Sequence, residues 1–159
     1  MNAADLAKMT PEEKEAYHRS KEAKVETFSY RRPDSSKEKD VIRLGRSELS
    51  GMNMQVLREG GENNLHYHNN SDTIWYVLRG GAKFYGPGDV LIADLGPDDG
   101  IVMPGGARYW FEKTGTEDLE LMQFVAREPT GGSSERINVE KHKAWMTDSY
   151  LQVYEKTTA

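Results

Sequence analysis

Two histidines set two residues apart, His66 and His68, carry the clearest chemical signal in the chain. They lie in the run Gly60-Gly61-Glu62-Asn63-Asn64-Leu65-His66-Tyr67-His68-Asn69-Asn70-Ser71-Asp72-Thr73, followed by Ile74-Trp75-Tyr76-Val77-Leu78-Arg79-Gly80. On a β-strand, residues two apart face the same side, so both imidazoles project together. Neutral imidazoles presented side by side are ligands for a divalent transition metal, Fe, Mn, Ni, Cu or Zn. A structural pair on a polar strand face would give the same pattern. Half of the chain's four histidines fall in this one place, which favours the chemical reading. His18 and His142 lie far from the pair in sequence; each reads as a surface residue, or else as an extra ligand that folds back.

The elements around the pair are short strands. From Asp40 onward the runs Val41–Leu44, Met52–Arg58, Asn64–His68, Thr73–Arg79, Ala82–Tyr85 and Val90–Asp94 are bounded by glycine-rich breaks at Gly60-Gly61, Gly80-Gly81 and Gly86-Pro87-Gly88. Ile101–Met103, Arg108–Lys113 and Leu119–Arg127 continue the series. About nine strands at this spacing predict an all-β sandwich or barrel. Before it, Thr10-Pro11-Glu12-Glu13 reads as a helix start with a capping box, and the helix is predicted to run to about Ala23. Its nearly all-polar face predicts packing on the barrel exterior or a second subunit. Val25–Tyr30 alternates as a short strand. After Pro129 the strand signal stops, yet Trp145, Met146, Tyr150, Val153 and Tyr154 imply an arm that docks, either on its own barrel or across a dimer. The expected organisation is an N-terminal helical arm with a first strand (1–39), a β-barrel (40–128) and a C-terminal docking arm (129–159).

Composition bounds the function classes. The formal net charge of −5 argues against nucleic acid, which demands a basic face. Zero cysteines exclude disulfides, thiolate metal sites and a cysteine nucleophile. No apolar run approaches the ~20 residues of a membrane span, and Met1 to Thr10 lacks the pattern of a signal peptide. The expected location is the cytoplasm, with no nucleic-acid or membrane partner.

The histidine segment resembles the first motif of the cupin superfamily, G-x5-H-x-H-x3/4-E-x6-G. Gly60 precedes His66 at the family spacing, and Tyr76-Val77-Leu78-Arg79-Gly80 matches the strand ending. Pro104-Gly105-Gly106-Ala107-Arg108-Tyr109 is similar to the start of the second motif, P-x-G-x2-H-x3-N. The resemblance spans about residues 40–127 and implies a double-stranded β-helix, or jelly-roll, barrel. It implies a reaction less well than a fold, because this superfamily hosts many chemistries. The family's usual ligand set is three histidines and a glutamate. Here the glutamate falls on Thr73, with Asp72 one residue earlier; the third histidine falls on Tyr109 and the asparagine on Lys113. The metal ligands implied are therefore His66 and His68, with Asp72 completing a two-His-one-carboxylate triad if a bulge turns it inward. Tyr109 is expected first as a hydrogen-bonding or acid/base group beside His66 and His68, second as a barrel-filling aromatic and third as a phenolate ligand.

Strand parity supplies the expected pocket. Thr73, Trp75 and Val77 share one face, as do Ala107, Tyr109, Phe111 and Lys113, and Asn64 shares the face of His66. Asn64, Thr73, Trp75, Phe111 and Lys113 are the predicted substrate pocket, with Gln55 and Gln123 as further polar groups and Arg108 facing outward. This reading favours a metal-dependent enzyme on a small organic substrate with an aromatic, enol or polyketide-like part, with dioxygenase-, isomerase- or cyclase-type chemistry. The competing readings are a non-catalytic small-molecule-binding cupin with a degenerate metal site, and metal-free acid/base catalysis by a His/Tyr pair. Open jelly-roll edges and two arms predict a homodimer.

Overall fold

The computed structural model describes residues 3–129 and 136–140, together with the backbone of residues 153–154. Two helices come first, Ala3–Ala7 (α1) and Pro11–Glu22 (α2). The second starts where its capping box requires. The Thr10 hydroxyl accepts from the Glu13 amide at 3.2 Å, and the Glu13 carboxylate accepts from the Thr10 amide at 2.8 Å. Two otherwise unpartnered amides are thereby satisfied. No residue of α2 is buried. Charge rather than packing holds it near the barrel, through Lys21 and Glu48 at 3.1 Å. No helix among the described residues is long and apolar enough to cross a membrane.

Val25–Tyr30 does not form the expected strand. Alternation alone is not enough, because an extended segment becomes a strand only when a neighbour takes its backbone groups. Here Val25 stays 79% exposed. The segment is instead fastened downstream, where the Arg32 guanidinium binds the carboxylates of Asp118 and Glu120.

All nine strands expected between Val41 and Arg127 are present. They are Lys39–Arg46 (β1), Ser50–Leu57 (β2), His66–His68 (β3), Ser71–Arg79 (β4), Gly81–Tyr85 (β5), Leu91–Leu95 (β6), Gly100–Met103 (β7), Trp110–Thr114 (β8) and Leu119–Arg127 (β9). One face of the barrel is the five-stranded sheet β1-β2-β9-β4-β7, and β6-β5-β8 faces it. Strand β4 sets the inside and the outside with a strict alternation. Ser71, Thr73, Trp75 and Val77 are buried, whereas Asp72, Ile74, Tyr76 and Leu78 are exposed. The inward residues meet Leu57, Phe84, Tyr109, Phe111 and Leu121 in one core. Burying each large apolar side chain contributes about 1.5–3 kcal/mol. Tilted aromatic contacts add to this, Trp75 to Phe111 at 5.1 Å and Phe84 to Phe111 at 5.2 Å between centroids.

A further strand follows the barrel expected over 40–128. Arg136–Asn138 (β10) pairs antiparallel with β3, setting Arg136 opposite His68 and Asn138 opposite His66. Val153–Tyr154 (β11) then pairs parallel with β10. A three-residue strand is too short to show periodicity, and the open edge of β3 decides its conformation. The described part of the C-terminal arm thus docks on its own barrel. Trp145, Met146 and Tyr150 lie outside the described residues.

The β4–β5 turn needs glycine. Gly80 has φ +75°, and a Cβ there would stand 2.7 Å from the Asp118 carbonyl oxygen. Gly88 has φ +68° but open space around it. Gly80→Ala is expected to lower stability by about 2–3 kcal/mol, from left-handed strain plus the contact, and Gly88→Ala by only about 1 kcal/mol. Urea unfolding of the two variants checks this; equal losses would contradict it.

Candidate functional site

Strand β3 is held on both sides. On one side β10 pairs with it. On the other, the His66 amide donates to the Tyr109 carbonyl at 3.1 Å and the Tyr109 amide to the His66 carbonyl at 2.9 Å. This bridge joins the two sequence motifs and sets the His66 and Tyr109 rings in a tilted contact with centroids 4.7 Å apart. His66 and His68 face each other edge-on, 5.2 Å between centroids.

The state of His66 follows from its partner. Its Nδ1 lies 2.8 Å from the Asn64 carbonyl oxygen. A carbonyl only accepts, so Nδ1 carries the proton and Nε2 keeps a lone pair. Burial, then the charges of Arg136 and His68, holds the His66 pKa well below the ordinary value. Burial and Arg136 bring His68 down to about 4. Both rings are therefore neutral at pH 7, the form that binds metals and accepts protons. Behind the pair, Lys39 lies 5.2 Å above the Phe111 ring; burial and Arg136 lower its pKa to about 7.

Tyr109 is buried beside the pair. Its hydroxyl accepts from the Trp75 indole N–H at 3.3 Å and is hydrogen-bonded with Thr73. Burial pushes its pKa up to about 12. The phenol stays protonated and held within the barrel, which fits a hydrogen-bonding, barrel-filling residue better than a phenolate ligand.

Several expected positions need correction. Asp72 does not join the histidines. The β4–β9 ladder runs without a bulge from Ser71 to Val77, so parity turns Asp72 outward, where its carboxylate accepts from the Gly105 amide at 2.8 Å. Lys113 has inward parity but sits near the end of β8, and its ammonium donates to the Gly115 carbonyl at 2.7 Å. Asn64 does not offer its amide to a pocket. Its Nδ2 donates to Asn138 Oδ1 at 3.1 Å and to the Glu140 carbonyl at 2.7 Å, while its Oδ1 accepts from Arg136 at 2.5 Å. Trp75 and Phe111 belong to the sealed core. Arg108 faces outward, as parity requires.

The cavity that reaches His68 is polar instead. It has a volume of about 330 Å³ and is lined by His68, Thr73, Asn53 and Gln123, with Arg46 and Arg127 at its rim. Asn53 donates to Gln123 at 3.2 Å across it. Of these residues, Thr73 and His68 were legible from motif and parity, and Gln123 as an uncertain polar candidate. Asn53, Arg46 and Arg127 carried no motif signal; only the pairing of their strands reveals them.

Two neutral imidazoles, one with its Nε2 lone pair kept available, are suitable donors for two positions on a divalent transition ion. No third His, Cys, Asp or Glu joins them among the described residues, and His142 lies outside those residues. Thr73 and Tyr109 occupy the positions of the family's Glu and third His. The residues therefore fit such an ion at two ligands, without an anionic one and with the Arg136 guanidinium nearby. The hold would be weak, and the rest of the sphere would fall to water or substrate oxygens.

The comparisons with known proteins concern the barrel. Residues 53–125 match the family model described as "Cupin domain". No curated protein matches the chain. A double-stranded β-helix protein from Klebsiella pneumoniae is similar at 22% identity and a TM-score of 0.61, over 76% of this chain and 96% of that one. An RmlC-like cupin from Methanocaldococcus jannaschii is similar at 19% identity and 0.56, over 67% and 94%. KdgF from Halomonas is similar at 18% and 0.54, over 65% and 96%. At these identities the solved structures speak for the fold alone. The strands around the His66–Tyr109 bridge thus match the cupin domain over residues 53–125, within a barrel of the double-stranded β-helix fold.

Proposed function

We propose that this cupin is an enzyme acting on a small organic molecule bound in the cavity beside His68, with His66 and His68 as the residues that would hold a divalent transition ion. One observation carries the reading: His68 lines a polar cavity and stands edge-on to His66, whose tautomer is set by the Asn64 carbonyl. When bound, such an ion supplies Lewis acidity toward a substrate oxygen. The chain's own residues do the rest. His66 and His68 offer lone pairs rather than N–H⁺ groups, and Thr73, Asn53 and Gln123 offer hydrogen bonds that orient the substrate. The core aromatics Trp75 and Tyr109 exclude water from behind the pair. An open coordination sphere suits dioxygenase, isomerase or cyclase chemistry. The polar lining argues against the aromatic substrate expected from parity.

A second reading is favoured by the donor set, which among the described residues has no carboxylate and stands next to Arg136. In it the barrel binds its ligand without a metal and without catalysis. Metal titration of chelator-stripped protein separates the two. The enzyme reading predicts that His66→Ala and His68→Ala each weaken Zn²⁺ or Fe²⁺ binding by tenfold or more, on the order of 1.4 kcal/mol each, while Asp72→Ala leaves it unchanged. Binding that is sub-stoichiometric in the wild type and indifferent to His66→Ala would favour the second reading.

The neutral pair also predicts a pH dependence in the stripped protein. The ordinary histidine value is 6.5, and that of folded His68 is about 4. Between these values the unfolded chain holds a proton that the folded chain does not, so acidification destabilises the fold. His68 accounts for roughly 3 kcal/mol of loss between pH 6.5 and 4, and His66 acts in the same direction. Above pH 6.5 this contribution is flat. Urea midpoints across pH 4–8 should show the slope, and His68→Gln should reduce it; a pH-independent midpoint between 6.5 and 4 would contradict the assignment.

A further inference from the structure

The rim of the cavity is basic in an acidic protein. The chain has 26 acidic and 21 basic residues, yet Arg46 and Arg127 both line the cavity that His68 lines. No acidic residue lines that cavity among the described residues. Among the described residues neither arginine forms a salt bridge, although Arg19, Arg32, Arg58 and Arg79 all do.

Two details of construction set Arg127 apart from an ordinary surface arginine. Its Nη1 is buried and has no hydrogen-bond partner among the described residues. A guanidinium N–H withdrawn from water without an acceptor is costly. The backbone makes room for it at Gly51, where a Cβ would stand 3.0 Å from Arg127 Nη2. Strand β1 adds the neighbours. A register shift between Arg43 and Gly45 sets Arg43 opposite Asn53 and Arg46 opposite Gly51, the inward positions of β2. Without the shift, residues three apart would face opposite sides. The charges of Arg46 and Arg43 reach Arg127 and, after desolvation, add to lowering its pKa. Among the described residues no carboxylate pairs with these like charges, and an anion placed between them would relieve their repulsion.

We propose that Arg46 and Arg127 form a clamp for the carboxylate of a small polar organic acid, whose other end lies toward Thr73 and His68. A planar guanidinium matches a carboxylate through two parallel hydrogen bonds. Asn53, Gln123 and Thr73 suit hydroxyl or carbonyl groups on the rest of the molecule. A cavity of about 330 Å³ lies at the small end of ligand sites. This inference names the substrate class of the site proposed above and rests on that reading of the cavity. It does not depend on whether the histidines hold a metal.

The test is calorimetric titration of chelator-stripped protein with malonate, malate, 2-oxoglutarate and benzoate, with inorganic phosphate and glycerol as separate arms. The expected result is saturable binding of at least one carboxylate, weakened about 10- to 100-fold by Arg127→Gln and by Arg46→Gln. Arg127→Lys keeps the charge and loses the fork, and should fall between. Thermal melts and the metal affinity of each variant report on folding and on the histidine pair separately. Failure of every carboxylate to bind, binding of phosphate alone, or equal affinity in folded arginine variants would overturn the clamp. Loss of metal binding with carboxylate binding intact would instead count against the proposed metal-dependent function.

Discussion

Asn64 is the residue on which the arrangement depends. It is fully buried, and both its backbone and its side chain are committed. Its carbonyl holds His66 Nδ1 and so selects the tautomer. Its side-chain amide holds Asn138 and the Glu140 carbonyl, and its side-chain oxygen holds Arg136. One residue therefore orients His66 through its backbone carbonyl, and through its side chain holds the C-terminal strand and the Arg136 guanidinium. Networks of this kind stabilise only when complete, because each orphaned buried group costs about 1–3 kcal/mol.

The electrostatics follow from that docking. Arg136 arrives on β10 directly opposite His68 and, with burial, keeps both imidazoles neutral. A guanidinium close to two unprotonated imidazoles disfavours a bare dication and favours an anion. The carboxylate proposed for Arg46 and Arg127 would bring negative charge into the cavity beside His68. The described residues Arg136–Asn138 thus act on the histidine pair as well as extending its sheet.

How far the sequence showed this depended on the range of the interaction. The pairing of His66 with His68, and the choice of Thr73 over Asp72 as the inward residue, needed only the period of two along a single strand. The capping box at Thr10 was equally local. Val25–Tyr30 had the same period, but no ladder partner, and partners are non-local. Lys113 had the right parity and the wrong height, since a long flexible side chain near a strand end reaches the loop carbonyl of Gly115. Arg46 was hidden by the register shift near Gly45, which exists only in the pairing of β1 with β2. Asn64 pointed toward a pocket until β10, too short to show a period, arrived to occupy its amide.

The central claim is that both imidazoles are neutral at pH 7, with His66 protonated on Nδ1. Long-range ¹H–¹⁵N correlation of the histidine rings in the chelator-stripped protein measures this directly. The account predicts that His66 and His68 both show one protonated and one unprotonated nitrogen at pH 7, with Nδ1 protonated in His66, and that His68 gains its second proton only near pH 4. An imidazolium at either position at pH 7, or an Nε2-protonated His66, would contradict it.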